Sequence, residues 1–257
     1  MDLSSFARYP SLRGKSVFVT GGGSGIGAAI VEAFVDQGAR VAFIDIAEEE
    51  SRALCEGMRT QHGAAPLFTR CDISDIAALQ AAIERAGRDL GGIGVLVNNA
   101  ANDMRHDWKT VTPGYWDERM AINLRPMFFA IQSVAPQMKH LGGGAIINFG
   151  SISWKLALGG MPAYTTAKAA VHGLTRGFAR ELGKDNIRVN TVLPGWVMTE
   201  RQKKLWLTEA GERVMDQQQC LKGRLQPMDL ARIVLFLASD DARMCSAQEF
   251  TVDGGWA

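Results

Sequence analysis

Cysteine and histidine are both scarce in this chain, and their placement excludes more than their number. The four cysteines, Cys55, Cys71, Cys220 and Cys245, lie too far apart for a CxxC metal knuckle and are too few for an extracellular disulfide framework. The four histidines, His62, His106, His140 and His172, are too scattered to gather a metal ion, so no metal site is expected. Net charge is almost absent, at +1 from 28 basic and 27 acidic side chains, and no Lys/Arg stripe stands out. The expected partner is therefore a small molecule rather than a nucleic-acid backbone or an anionic membrane. No apolar run reaches the length of a membrane span, and the opening MDLSSFARYPSLRGK lacks the charged segment and apolar core of a signal peptide. A reducing cytoplasm is the expected setting.

What is present is the make-up of a globular domain. At 257 residues, 47% of them apolar, the chain is long enough to bury roughly three quarters of its unfolded surface without disulfides or structural metal. One domain over 1–257 is expected. Short β-branched runs, Val17–Thr20, Val41–Asp45, Leu67–Arg70, Val95–Val97, Ala145–Phe149, Arg188–Leu193 and Phe250–Val252, alternate with longer amphipathic stretches. Those stretches, Gly25–Gln37, Glu48–His62, Ser74–Asp89, Tyr115–Lys139, Ala163–Gly183 and Pro227–Ser239, are long enough to cross from one parallel strand to the next. The rhythm predicts an α/β fold, a doubly wound parallel sheet of seven strands. Runs such as VFVT and VAFI are apolar on both faces, which suits a sheet covered by helices on each side. Pro126 and Pro136 fall inside the 115–139 pattern, where each removes an amide donor, so that helix is expected to bend.

The segment VFVTGGGSGIGAAI places Gly21, Gly25 and Gly27 between a buried strand and an amphipathic helix. Backbone amides at such a helix start approach a pyrophosphate, although a plain tight turn has the same composition. The next strand ends in Asp45, eighteen positions after Gly27, where an acid accepts hydrogen bonds from the adenine-side ribose and repels a 2′-phosphate. Ser24 stands in the loop and no Arg or Lys occupies 21–27, so NAD is favoured over NADP. After the third strand, Asp72 is placed to accept from the adenine amine and Ile73 to lie against its ring; a turn at Asp72 and a helix cap at Ser74 read equally well. After the fourth strand, Asn98, Asn99 and Ala100 make a polar corner where ligands of this architecture collect, or a plain asparagine turn.

In AYTTAKAAVHG, Tyr164 and Lys168 are four residues apart on one helical face, while Ala163, Ala167 and Ala170 form a smooth one. A phenol titrates near 10; bringing it down by three units takes about 4 kcal/mol, and a close ammonium is expected to supply much of that. Ser151, at the end of the fifth strand, is placed to meet the same substrate oxygen. The spacing alone is common among helices.

Taken in order, TGGGSGIG from Thr20 to Gly27, Asp72, NNA at Asn98–Ala100, Asn123, Ser151, the YTTAK pattern of Tyr164–Lys168, Pro194–Gly195 and Thr199 make the chain resemble the classical short-chain dehydrogenase/reductase family over nearly its whole length. The resemblance implies a Rossmann fold in which Ser151 polarises the substrate oxygen and Tyr164 exchanges its proton. Lys168 would bind the nicotinamide ribose and depress the tyrosine pKa, and Asn123 would anchor a relay water in the bent helix. Gly21, Ser24, Gly25, Ile26, Gly27, Asp45, Asp72, Ile73, Asn99, Ala100, Tyr164, Lys168, Pro194, Gly195, Val197 and Thr199 would bind NAD, with Val197 and Thr199 on its carboxamide. A homotetramer is implied as well. One departure is Ala101, where the family commonly has glycine; a positive φ there would make alanine costly.

NDMRH from Asn102, FGSISW from Phe149 and QCLKGR from Gln219 resemble the NAD-dependent aldose 1-dehydrogenase branch of that family, which implies oxidation of D-xylose or a related sugar at C1 to the lactone. L-Arabinose, D-galactose, L-fucose, a polyol or a 3-oxoacyl thioester are the alternatives, and a non-catalytic NAD sensor is a further one. Asn102, Asp103, Ser151, Ser153, Trp154, Tyr164, Trp196 and Gln202 are the candidate substrate residues. The segment 198–222 interrupts the strand rhythm and is expected to close over the substrate as a lid.

Overall fold

The computed structural model describes residues 6–257; Met1–Ser5, part of the opening stretch discussed above, lie outside the described residues. In chain order the elements are β1 (Ser16–Thr20), α1 (Gly25–Asp36), β2 (Arg40–Asp45), α2 (Glu48–His62), β3 (Leu67–Arg70), α3 (Ile76–Leu90), β4 (Val95–Asn98), α4 (Pro113–Asn123), α5 (Arg125–His140), β5 (Gly144–Phe149), α6 (Pro162–Leu182), β6 (Ile187–Pro194), α7 (Glu200–Leu205), α8 (Glu209–Gln218), α9 (Pro227–Ala238) and β7 (Glu249–Val252). The strands lie side by side in the order β3-β2-β1-β4-β5-β6-β7, and every neighbouring pair is parallel.

Alternation along each strand builds two cores. Val17 and Val19 of β1 pack with Ile30 and Phe34 of α1 and Leu230 and Val234 of α9 on one face. Phe18, between them, packs with Leu79 and Ile83 of α3 and Ile131 and Val134 of α5 on the other. Each such fully buried aliphatic or aromatic side chain contributes about 1.5–3 kcal/mol of transfer free energy. This is the doubly wound Rossmann arrangement, with helices on both faces.

The chain builds β1, β2 and β3 outward in one direction and then returns to place β4 against the free side of β1. Loops leaving β1 and β4 diverge at that reversal, which opens a crevice at their carboxyl ends.

Two local expectations are corrected. The single bent helix over 115–139 is two helices, α4 and α5, separated by Leu124 at φ −137° and ψ −56°. Pro126 falls in the first turn of α5, where a missing amide donor is harmless, so it starts a helix instead of bending one, and Pro136 remains inside α5. The cap of α3 is Asp75, whose side chain accepts from Ala78 N, and not Ser74. The 198–222 segment holds two short helices, α7 and α8. No helix among the described residues is long and apolar enough to cross a membrane.

Candidate active site

A cleft of about 1430 Å³ lies over the crevice, larger than the roughly 300–1,000 Å³ of a single small-ligand pocket. Every residue expected to bind cofactor or substrate lines it except Trp154.

At one end the loop after β1 is shaped by glycine. Gly21 has φ +67°, and a β-carbon there would stand 2.8 Å from the Cα of Ala100, while one on Gly27 would run into the Gly21 carbonyl oxygen. Asn99 braces this turn from across the crevice: its side-chain amide donates to Thr20 O at 3.1 Å and Gly21 O at 2.9 Å. Thr20 Oγ1 in turn accepts from the backbone amides of Asn99 and Ala100, both at 3.1 Å. The polar corner is thus structural and ligand-facing at once. Ser24 occupies the N-cap of α1 without using its hydroxyl as a cap. The start of α1 carries no acidic residue, which leaves its positive end open to an anion.

Asp45 ends β2 with both carboxylate oxygens fixed, Oδ2 accepting from Gly23 N at 2.8 Å and Oδ1 from Ala47 N at 2.9 Å. Each oxygen keeps a lone pair for a further donor. Asp72 closes a turn, its Oδ1 accepting from Ser74 N and Ser74 Oγ at 2.8 Å each, and Ile73 beside it faces the cleft. At the opposite wall Thr199 caps α7, accepting from Gln202 N at 3.2 Å. Ala101 is absent from the positive-φ residues, which outside glycine are Ala157, Asn186 and Ala247 among the described residues. Alanine therefore fits there without strain.

In the middle of the cleft, two residues past β5, the extended Ser151 caps the following 3₁₀ turn by accepting from Ser153 N at 3.1 Å. The Tyr164 phenol lines the cleft beside Ser151, whose side chain acts to lower its pKa. One helical turn along α6, Lys168 is buried, with Nζ donating to Phe149 O at 2.8 Å and lying 5.7 Å from the centroid of the Tyr164 ring. Beneath them a buried polar chain joins the strands to the helix: Asn98 to Asn148, Asn148 to Thr175 and Thr191 to Thr175, at 2.9, 3.0 and 2.7 Å.

The electrostatics differ from the expectation of an acidic phenol. Burial pushes Tyr164 upward, Asp103 adds to the rise, and the Ser151 hydrogen bond and Arg201 oppose it. Burial pushes Lys168 down to about 7 against the pull of Asp103. An amine that sheds its charge near neutrality is a poor depressant of its neighbour, because desolvation outweighs the pairing.

Asn123 is fully buried and does not reach the cleft. Its side chain is committed to the substrate loop, Oδ1 accepting from Asn102 N at 2.8 Å and Nδ2 donating to Asn102 O at 3.1 Å and to Arg119 O at 3.0 Å. The backbone carbonyl is what the helix break frees, since Met127 N bonds Leu124 O instead.

At the far end, Trp196 Nε1 donates to Gln202 Oε1 at 3.0 Å and Gln202 Nε2 to Asp103 Oδ2 at 2.6 Å. Ser153, 2% exposed, lines the cleft, and its hydroxyl finds no partner among the described residues. Trp154 turns away and packs edge-on against His172, ring centroids 4.8 Å apart. His106 fastens the loop to the start of α6, accepting from Ala163 N at 3.3 Å and bonding Tyr115 OH at 3.0 Å. Sequence reasoning missed Arg201, Arg105, Trp206, Met161 and Trp256, all of which line the cleft. No local signal marks Arg201, which on sequence reads as one more solvated charge on a short helix. No group of three or more His, Cys, Asp or Glu side chains suited to a metal ion occurs among the described residues.

A glycine cradle, an acid at the end of the second strand and a Ser, Tyr and Lys set at the switch point define an oxidoreductase site for a dinucleotide. A family model described as Enoyl-(Acyl carrier protein) reductase matches residues 21–257, and the chain belongs to this short-chain dehydrogenase/reductase family, whose members are nicotinamide-dependent enzymes. Among relatives, the D-xylose 1-dehydrogenase of Caulobacter vibrioides is 53% identical over 252 residues, 98% of this chain and 99% of that one. A probable galactose dehydrogenase of Rhizobium meliloti is 52% identical, covering 97% of each chain. Among solved structures, a 7α-hydroxysteroid dehydrogenase complexed with NADH and 7-oxoglycochenodeoxycholic acid superposes with a TM-score of 0.91 at 33% identity, over 96% of this chain and 97% of that one.

Proposed function

We propose that this chain is an NAD-dependent aldose 1-dehydrogenase that oxidises D-xylose or a closely related sugar to its lactone. The observation that carries the reading is the polar far wall beside Ser151 and Tyr164, where the unpartnered hydroxyl of Ser153 and the Trp196, Gln202 and Asp103 chain face the cleft. Such a wall suits a small polyhydroxylated substrate, whose hydroxyls replace the water those groups would otherwise hold. The relatives named for D-xylose and galactose support it. A long acyl thioester is disfavoured, since the ion pair of Asp103 with Arg201 crosses that end of the cleft.

The cradle residues Gly21, Ser24, Gly25, Ile26 and Gly27 would hold the pyrophosphate, Asp45 the adenosine ribose, Asp72 and Ile73 the adenine. Asn99, Ala100, Lys168, Pro194, Gly195, Val197 and Thr199 would hold the nicotinamide half. The fixed carboxylate of Asp45 favours NAD, because a 2′-phosphate would meet a like charge. When bound, the oxidised nicotinamide would supply the hydride acceptor for C1 and a positive charge that favours the phenolate. Ser151 and Tyr164 grip the anomeric oxygen, and Tyr164 as phenolate takes its proton. Lys168, anchored on Phe149 O, would hold the nicotinamide ribose beside the phenol, and the freed Asn123 carbonyl would anchor a buried relay water behind it. We further infer a cytosolic homotetramer with one catalytic unit and a lid at 198–222; the four cysteines are free.

The test is a panel of D-xylose, L-arabinose, D-galactose and L-fucose with NAD and with NADP, followed by nicotinamide absorbance. Turnover of at least one aldose, faster with NAD, is expected. In Tyr164→Phe it should fall by about 10²-fold or more while NAD still binds. Failure of every aldose would end the reading.

A further inference from the structure

The lid helix and the substrate loop meet through charge. Arg201 Nη1 donates to Asp103 Oδ1 at 2.9 Å and Gln202 Nε2 to Asp103 Oδ2 at 2.6 Å, so α7 takes both carboxylate oxygens. Arg105, two residues along the same loop, stacks on Trp206 just past the end of α7, with its guanidinium carbon 4.9 Å from the ring centroid. The side chains of Arg201 and Asp103 are 40% and 21% exposed. A fully solvated pair would contribute little; this one borders the cleft and is held at the acid by two donors. We propose that Asp103 and Arg201 form a latch that holds α7 across the substrate end of the cleft and sets two opposed charges in the cleft that Tyr164 lines, so that lid closure also readies the phenol. The inference rests on the reading of Tyr164 as the proton-exchanging group.

Arg201 is a positioning residue in this account, acting through Asp103 and through its charge. The charged and polar groups that share the cleft with the phenol and act on it are Lys168 on its own helix, the Ser151 hydroxyl just past β5, Asp103 on the loop after β4 and Arg201 on α7. Arg105, Glu200 and Lys203 line the same cleft. Asp103 disfavours the phenolate and Arg201 favours it. Neutralising the two partners therefore has opposite consequences for proton affinity, although either change opens the same contact.

The experiment compares the pH profile of kcat/KM for aldose oxidation in the parent, Arg201→Met, Asp103→Asn and Arg201→Lys. Arg201→Met should move the rising limb to higher pH, and Asp103→Asn to lower pH, each by about half a unit or more; Arg201→Lys should return it towards the parent. Moderate salt should narrow the split. Shifts in the same direction, or none, would overturn the latch, because loosening a contact treats both partners alike. Amide hydrogen exchange over 200–205 in the full chain needs no turnover: faster exchange in Arg201→Met than in the parent is expected, and equal exchange would overturn the latch. If no aldose is oxidised yet exchange is faster in the variant, the functional reading fails and the latch stands.

Discussion

Lys168 illustrates how one buried group ties chemistry to stability. The unfolded chain keeps its ammonium proton up to an ordinary value of 10.5, whereas the folded chain keeps it only to about 7. Between those limits the unfolded state binds more protons, so this group's cost to folding is full below pH 7 and is relieved as pH rises. Cys55 and Cys71, raised above 9.0 by burial, act in the opposite sense at higher pH, so the effect is cleanest from 7 to 9. Lys168→Met should flatten the rise of unfolding free energy with pH in that window by up to about 1.4 kcal/mol per unit and abolish turnover. Denaturant titrations across pH check this; an unchanged slope would refute it. The i, i+4 spacing of Tyr164 and Lys168 was legible in sequence because it is local. The direction of their titration was not, because desolvation depends on the elements that close around them.

The break between α4 and α5 shows an element answering to a neighbour that sequence does not display. Asn123 ends α4 and binds both the amide and the carbonyl of Asn102, which ties the helix to the loop that carries Asp103. Asn123→Ala should lower stability by about 1–3 kcal/mol through unpaired buried groups and raise KM for the sugar more than it lowers kcat, as the loop loses its register. Chemical denaturation and steady-state kinetics measure the two. Proline positions announced an irregular helix there. They did not say that Pro126 would begin a new one, since that depends on where the preceding helix is stopped.

For the whole molecule, the surface of α6 carries the argument for assembly. Ala163 and Ala167, read above as part of a smooth face, are 1% and 0% exposed and pack inside the subunit. The exposed small residues are Thr166, Ala170, Gly173 and Gly177, flanked by the exposed Trp116 of α4 and Phe128 of α5. A side chain on Gly173 would meet nothing within 4 Å in its own subunit. Gly173→Arg should therefore fold normally and shift the mass in light scattering from the proposed four subunits to fewer; an unchanged mass would place the interface elsewhere. The alternation of strands and helices, the turn glycines, Asp45 at a strand end and the Tyr164 to Lys168 spacing could all be read along the chain, since each expresses forces that act over a few residues. Arg201 with Asp103, Asn123 with Asn102, the departure of Trp154 from the cleft and the lowered proton affinity of Lys168 could not. Those depend on which distant segments meet and how much water they exclude, and folding alone brings together partners about a hundred residues apart, as with Asp103 and Arg201.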